Sequence, residues 1–490
     1  MIIFAASYHT WDYMEKFIGR NREINEIERC YNSDRSEFVV ISGRRRIGKT
    51  FLVSNALKGR ITLSYVGSHK SPLSRQLKRF AQALFQNQIC DVVPQFSTWY
   101  DAFDALETLL PKLNVPGKKV LFFDEMPWID TPGSEFVIAL EDFWNGWASL
   151  RDDIMLVACG SATSWLVDQL LENQGGLHNR VTSRIALQPF NLEECKQFVV
   201  SKGGTWDNYQ IAQMYMYIGG VPFYWSLIDV KRGIAENVDD LFFLPSAKLS
   251  GEFNELYQVL FRDSESYVEI MRLLAAHRDG LSRKEIVDKT GSSGGVLTKR
   301  LSNLERCNFI MAQTPIGNKK NGTIYRVCDF YTLFYLRFIE VEHQFTSHYW
   351  STKITSQSVA AWQGFSFELI GMLHVDQIRM ALGIYGVNVR CSAWRSKKSE
   401  EQKRTQIDLV IERADHITHL CEFKFSSDEY YITAEYAQHL RERMGIYRSQ
   451  TKTRNTLLTT FITPFGVNRG SNYSVVQGDI ILDQLFAASI

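Results

Sequence analysis

Short runs of apolar residues alternate with helical patterns over the first 190 residues of the chain. The runs lie at residues 38–42 (Phe-Val-Val-Ile-Ser), 120–123 (Val-Leu-Phe-Phe) and 154–159 (Ile-Met-Leu-Val-Ala-Cys). Continuous apolar runs of this length are typical of parallel strands that are buried on both faces. Strands that alternate with helices build a parallel sheet covered by helices. The pattern therefore predicts an α/β domain at the start of the chain.

The first predicted strand runs directly into a glycine-rich loop. Residues 43–50 match the spacing GxxxxGK[ST], and a helical pattern follows at residues 51–57. This context defines a P-loop, in which backbone amides face phosphate oxygens and a helix N-terminus adds partial positive charge. We expect ATP here, with Lys49 on the β- and γ-phosphates and Thr50 on Mg²⁺. The candidate nucleotide-binding residues are Gly43, Arg44, Arg45, Arg46, Ile47, Gly48, Lys49 and Thr50.

The second predicted strand ends in two neighbouring carboxylates, Asp124 and Glu125. Asp124 is the candidate ligand of Mg²⁺, and Glu125 is the candidate base that polarises the attacking water. Because this leaves one carboxylate free of the metal, the pair favours hydrolysis over passive binding. After the third strand, Ser161 or Thr163 is a candidate sensor of the γ-phosphate, and a simple helix N-cap is the alternative.

Residues 219–224 (Gly-Gly-Val-Pro-Phe-Tyr) interrupt a helical pattern farther along the chain. A rigid turn at this point would lay Pro222 against the adenine ring. The alternative is a turn that only separates two helices. Pro222 is therefore a candidate nucleotide-binding residue.

Three amphipathic helical patterns followed by a hairpin lie between residues 267 and 327. This order is typical of a winged helix-turn-helix. Residues 281–326 contain nine Lys or Arg against three Asp or Glu, and the predicted hairpin tip is basic. The excess indicates DNA binding through phosphate contacts, and the alternative is an interaction module whose basic face is only solvated.

A second set of chemically suggestive residues follows beyond residue 345. Asp408 and Glu422 lie on two predicted hairpin strands with thirteen residues between them, and Lys424 shares a strand face with Glu422. This is the arrangement of PD-(D/E)xK phosphodiesterases, in which carboxylates bind Mg²⁺ and a lysine assists the attacking water. Glu368, on a preceding helix, is a further candidate ligand. The alternative is a domain of this fold that only binds nucleic acid or protein.

Composition and charge exclude several classes of protein. With 45% hydrophobic and 22% charged residues, the chain is an ordinary globular protein and not a disordered or repetitive one. Lys and Arg (55) balance Asp and Glu (54), so any nucleic-acid contact must come from local patches. The apolar runs are too short to span a membrane, and eight cysteines without a Cys-x-x-Cys pair indicate a reducing, cytoplasmic compartment. Residues 1–13 differ from the rest and are expected to be a dispensable extension.

Several motifs occur in the order found in prokaryotic AAA+/STAND-type ATPases. They are residues 17–20 (Phe-Ile-Gly-Arg) with Glu23, the P-loop, and residues 123–125, 160–161 and 219–222. The chain resembles the archaeal-type ATPase group that carries a DUF234-like C-terminal region. The resemblance implies that Ile18 and Gly19 border the adenine pocket. It also implies a C-terminal domain similar to PD-(D/E)xK nucleases.

These observations predict an α/β protein with three modules. An AAA+-like P-loop core (14–190) with a helical lid (191–260) precedes a winged-helix domain (261–340) and a restriction-endonuclease-like α/β domain (345–490). We expect ATP hydrolysis with Mg²⁺, DNA as the partner, Mg²⁺-dependent DNA cleavage at the C-terminal site, and a homo-oligomer formed through the ATPase core. The competing hypothesis is a nucleotide-controlled assembly switch whose C-terminal domain only binds.

Overall fold

A computed structural model of the chain describes residues 17–161, 163–171, 177, 179–261, 263–292, 294–316, 322–342, 345–346, 348–396 and 405–488. Its first sheet consists of β1 (Glu37–Ser42), β2 (Ile61–Val66), β3 (Lys119–Asp124), β4 (Ile154–Gly160) and β5 (Ser183–Ala186). All neighbours in this sheet are parallel, in the order β2-β3-β4-β1-β5. Every residue of β1, β3 and β4 is buried, as their continuous apolar runs require. The predicted parallel sheet is confirmed.

Helices cover both faces of the first sheet. They are α1 (Asn21–Tyr31), α2 (Lys49–Ala56), α3 (Leu73–Gln86), α4 (Trp99–Leu109), α5 (Met126–Ile129), α6 (Phe136–Gly146) and α7 (Thr163–Leu166). Alternate strand residues face opposite layers. Phe38 and Val40 contribute to the core shared with α3, α4 and α6, whereas Val39 and Ile41 contribute to the core shared with α1 and α2.

A helical segment and a small sheet follow the first domain. The helices are α8 (Leu192–Ser201), α9 (Asn208–Ile218), α10 (Pro222–Trp225), α11 (Ile234–Val238), α12 (Glu252–Leu260), α13 (Ser264–Ala275), α14 (Arg283–Thr290) and α15 (Gly294–Arg306). The strands β6 (Leu281–Ser282), β7 (Ile310–Gln313) and β8 (Ile324–Val327) form an antiparallel sheet in the order β6-β8-β7. Most of the predicted basic hairpin tip, residues 317–321, lies outside the described residues. The winged-helix interpretation stays a prediction.

The C-terminal part contains a mixed five-stranded sheet. Its elements are α16 (Phe330–Phe334), α17 (Tyr349–Lys353), α18 (Gln357–Leu373), α19 (Val375–Ala381), β9 (Val389–Arg395), β10 (Gln406–Arg413), β11 (Ile417–Phe423), α20 (Ala434–Thr451), β12 (Thr456–Thr463) and β13 (Gly478–Ile481). The order is β13-β12-β11-β10-β9, with antiparallel pairs from β9 to β11 and parallel pairs from β11 to β13. Short 3₁₀ or π segments lie at Leu110–Lys112, Ala148–Leu150, Val167–Leu171, Asp239–Phe243, Tyr335–Ile339, Tyr473–Val475 and Leu482–Phe486.

One large apolar core runs through the parts of the chain that follow the first sheet, and two smaller apolar clusters lie beside it at the C-terminal sheet. The large core extends from Phe190 to Phe486 and includes the fully buried indoles of Trp225, Trp350 and Trp362. The segment that follows β7 contacts the C-terminal sheet, because the Ile316 amide donates to the Ala393 carbonyl of β9 at 3.2 Å. No helix of the described residues is long and apolar enough to cross a membrane.

Candidate functional site

The glycine-rich loop connects β1 to α2 in a tight curl. Gly43, Arg46 and Gly48 have φ values of 151°, 71° and 86°, in the region where glycine is favoured. A Cβ added at Gly43 would lie 2.7 Å from the Leu187 carbonyl oxygen, so this position excludes any side chain. The loop therefore brings Lys49 and Thr50 to the first turn of α2, at the carboxyl edge of the parallel sheet.

The structure brings three of the predicted polar residues together at this edge. The buried Lys49 ammonium donates to the carbonyl oxygens of Gly43 and Arg44, each at 2.9 Å. The Thr50 hydroxyl donates to Asp124 Oδ2 at 2.6 Å. Burial lowers the pKa of Lys49 and raises the pKa of Asp124. Burial opposes the charged form of each group, and a cation bound by Asp124 would favour its ionised form.

Glu125 lies next to these residues and contacts the end of β4. Its φ of 45° turns the chain sharply after β3. Glu125 Oε2 accepts hydrogen bonds from the Ser161 amide at 3.1 Å and from the Ser161 hydroxyl at 2.8 Å. The candidate base and one candidate sensor are therefore in direct contact. The side chain of Thr163, the other candidate sensor, lies outside the described residues.

The predicted adenine-side residues lie on segments around the P-loop. Gly19 has a φ of 63°, and a Cβ there would meet Glu194 of α8 at 2.3 Å. Ile18 is half-buried beside it. Pro222 begins α10, and the next amide, that of Phe223, donates to the Arg46 carbonyl at 3.3 Å. The Pro222 turn is thus in contact with the P-loop itself.

Two of the three P-loop arginines form ion pairs with acidic residues from later parts of the chain. Arg44 pairs with Asp329 at 2.6 Å, and Arg46 pairs with Glu252 at 2.6 Å. Arg45 is half-buried. Neither acidic partner was predicted from the sequence, since no motif surrounds them and they lie far from the loop along the chain.

The C-terminal candidates also come together. Asp408 lies in β10, where the pairing with β9 shifts register between Ile407 and Val410, and such irregularities re-aim side chains. Glu422 lies in β11, and the Lys424 ammonium is 3.0 Å from its Oε1, so the two share a face as predicted. Glu368 of α18 is largely buried; burial, and then the charges of Asp408 and Glu422, raise its pKa. The four residues therefore form one electrostatic centre.

Cations from outside the motif already neutralise this centre. Glu422 accepts hydrogen bonds from Arg443 and Tyr436 of α20 in addition to its Lys424 contact. Burial opposes ionisation of Glu422, but Arg443 and Lys424 outweigh burial and lower its pKa to about 2. Arg326 of β8 lies 3.5 Å from Asp408. Within the described ranges, no group of three or more His, Cys, Asp or Glu side chains is placed to hold a metal ion.

Comparison with known families agrees with the geometry of the first site. A family model for an ATPase domain predominantly from Archaea matches residues 17–228. This part of the chain is an archaeal-type ATPase domain. The ATPase part of the predicted resemblance is thereby confirmed, and the DUF234-like nuclease part stays a prediction.

Related proteins have been sequenced in Methanocaldococcus jannaschii. One, an uncharacterized protein, is 26% identical over 327 residues, which are 66% of this chain and 69% of that protein. Another, an uncharacterized ATP-binding protein, is 34% identical over 44 residues, which are 9% of this chain and 75% of that protein.

Solved structures with similar folds include two archaeal proteins. A Walker-type ATPase of Pyrococcus abyssi matches with a TM-score of 0.47 and 18% identity over 66% of this chain and 97% of that one. The ORC2 protein of Aeropyrum pernix, solved with ADPNP and ADP, matches with a TM-score of 0.41 and 12% identity over 66% of this chain and 95% of that one.

Proposed function

We propose that the ATPase domain binds ATP at residues 43–50 and hydrolyses it with Glu125 as the general base. The observation that carries this proposal is the convergence of Lys49, Thr50, Asp124 and Glu125 at one sheet edge. Lys49 is held by two loop carbonyls, so its ammonium has a fixed position for phosphate oxygens. Glu125 is held by Ser161 and can accept a proton from water.

The oxygen donors of this site fit a magnesium ion. Magnesium in such sites is held by one or two protein oxygens, water and substrate phosphates. Thr50 Oγ1 and Asp124 Oδ2, 2.6 Å apart, would supply the protein oxygens. The ion would add positive charge beside the phosphates. Ile18, Gly19 and Pro222 are proposed to border the adenine.

Phosphate release and nucleotide binding, measured together, test the proposal. Glu125→Gln should reduce turnover by about 10²–10⁴-fold, the usual contribution of a general base, while ATP still binds. Lys49→Ala should abolish both ATP binding and phosphate release. Glu135→Gln, an exposed carboxylate outside the site, is the control. Full turnover in Glu125→Gln would rule out Glu125 as the base, and no ATP binding by folded wild type would refute the ATPase proposal.

We further propose that the middle module, residues 261–340, contacts DNA weakly through its exposed basic side chains. Part of the predicted basic surface is already occupied. Lys299 and Arg306 of α15 pair with Asp168 of the ATPase domain, both at 3.3 Å. Lys284 and Lys289 of α14 are exposed and available. Lys284→Ala with Lys289→Ala should weaken binding to a fluorescent duplex and reduce its salt dependence, and unchanged binding would contradict this role.

For the C-terminal centre, the side-chain pairing favours the hypothesis of binding over that of DNA cleavage. Arg443, Lys424 and Arg326 occupy the carboxylates that a magnesium ion would need. The residues as placed do not fit the ion. Plasmid incubated with Mg²⁺ or Mn²⁺ tests this. Nicking by wild type that Asp408→Ala or Lys424→Ala removes would establish the nuclease instead.

Sizing experiments with and without ATP test the predicted homo-oligomer, for which the ATPase core is the proposed interface. The module boundaries at about residues 190, 260 and 345 are also proposals. Limited proteolysis tests the boundaries: cleavage near these three positions would support them, and cleavage only at other positions would contradict them.

A further inference from the structure

A buried ion pair ties the P-loop to a distant part of the chain. Arg44 Nη1 lies 2.6 Å from Asp329 Oδ1, across 285 residues of sequence. The Arg44 side chain is 1% exposed and that of Asp329 is 3% exposed. A pair so far from water is screened very little, so its geometry matters more than that of a surface pair.

Surrounding elements fix the position of Asp329. It caps α16, where its Oδ2 accepts from the Thr332 amide at 3.1 Å. The Thr332 hydroxyl lies 3.1 Å from the Tyr257 hydroxyl of α12. The Arg44 guanidinium also lies over the ring of Phe309, 4.8 Å from its centroid. The carboxylate that faces Arg44 is therefore held rigidly by the helical layer.

The backbone of Arg44 in turn holds the P-loop lysine. Its carbonyl is one of the two oxygens that accept from Lys49 Nζ, at 2.9 Å. A displacement of Arg44 therefore moves a group that orients the Lys49 ammonium. The contacts form a chain from Asp329 through Arg44 to Lys49.

The Asp329 carboxylate balances the buried positive charge of Arg44. Among the described residues, Nε and Nη2 of Arg44 are buried without a hydrogen-bond partner. The guanidinium thus depends on the single carboxylate bonded to its Nη1. Removing one member of a buried pair leaves an uncompensated charge, which drives the remaining side chain toward water. For Arg44, that movement would distort the loop.

We propose that Asp329 is a positioning residue of the nucleotide site, which acts through Arg44 on the loop that binds the triphosphate. This inference rests on the proposed ATP-binding function. Asp329 bonds to Arg44 and to the Thr332 amide rather than to Lys49, Asp124 or Glu125, so its effect should fall on nucleotide affinity more than on turnover at saturating ATP.

Calorimetry with a non-hydrolysable ATP analogue and Mg²⁺ tests the proposal. Asp329→Asn removes the charge and keeps a side chain able to cap α16. It should weaken binding by at least about tenfold, equivalent to 1.4 kcal/mol, with kcat changed less than KM. Arg44→Met should have a similar effect, and the double variant should be no weaker than either single one. Glu340→Gln, in the exposed pair with Arg272, is the matched control and should bind normally.

Each outcome decides the matter. Wild-type affinity in Asp329→Asn would overturn the proposal, and so would effects that add in the double variant. If Asp329→Asn does not fold, the affinity of the double variant, which buries no unpaired charge, is measured instead. Wild-type affinity of the double variant would overturn the proposal. Failure of wild type to bind the analogue would instead refute the ATP-binding function.

Discussion

Acid should loosen the contact between α8 and α18 through a single buried histidine. His374, 2% exposed, lies at the end of α18 and its Nε2 accepts from the Leu192 amide at 3.2 Å. Its Nδ1 is 2.8 Å from the Ile370 carbonyl and so carries the proton. Burial lowers the pKa of His374 to about 4. A second proton on Nε2 would remove the acceptor and place a charge in the core.

The sign and size of the effect follow from linkage. The folded pKa lies below the unfolded value of about 6.5, so the unfolded chain takes up the proton first. The stability that neutral His374 contributes to the folded state is fully present above pH 6.5 and is lost as the pH falls toward 4. From pH 7 to pH 5 this loss should reach roughly 2 kcal/mol of unfolding free energy.

Guanidinium unfolding at the two pH values, followed by tryptophan fluorescence, measures this loss. Trp225, Trp350 and Trp362 report on the same core, because all three are fully buried in it. His374→Gln keeps a polar side chain without the titration, so its stability should fall roughly 2 kcal/mol less than that of wild type. His439→Gln, on the exposed face of α20, should leave the wild-type pH dependence unchanged. An equal loss in His374→Gln and wild type would refute the reasoning.

Two further substitutions, each compared with a second substitution, test the packing around the sites by thermal and denaturant unfolding. Gly220→Ala would put a Cβ 1.8 Å from the Phe190 carbonyl oxygen and should lower the free energy of unfolding by at least about 1–3 kcal/mol. Gly445→Ala meets open space in α20 and should raise the free energy of unfolding by about 0.5–1 kcal/mol. The reverse order of stabilities would contradict the packing. Arg443→Met would leave Glu422 buried with one fewer cation and should lower the free energy of unfolding by about 3–5 kcal/mol. Arg441 is exposed, so Arg441→Met should be nearly neutral. Equal losses of stability in the two variants would show that Glu422 does not need Arg443.

The first site was predictable because its information is local. The P-loop needs only a strand, eight residues and a helix, all contiguous at residues 38–57. Asp124 and Glu125 were recognisable because parallel strands that belong to one sheet end at the same edge. The Glu422–Lys424 pair followed in the same way from the two-residue period of a strand.

The partners of these residues were not predictable. Asp329 follows β8 without a motif, and its pairing with Arg44 depends on how two elements 285 residues apart along the chain pack together. Arg443 belongs to α20, and nothing in the sequence of that helix predicts its contact with Glu422. Local patterns define elements, whereas contacts between elements depend on tertiary packing that no short window of sequence contains.

The two centres differ in how their carboxylates are balanced. At the P-loop, Asp124 accepts a hydrogen bond from a neutral hydroxyl, and none of the ion pairs among the described residues involves it. At the C-terminal centre, arginine or lysine already balances Asp408 and Glu422. One segment touches both centres, since Arg326 pairs with Asp408 and Asp329, three residues later, pairs with Arg44.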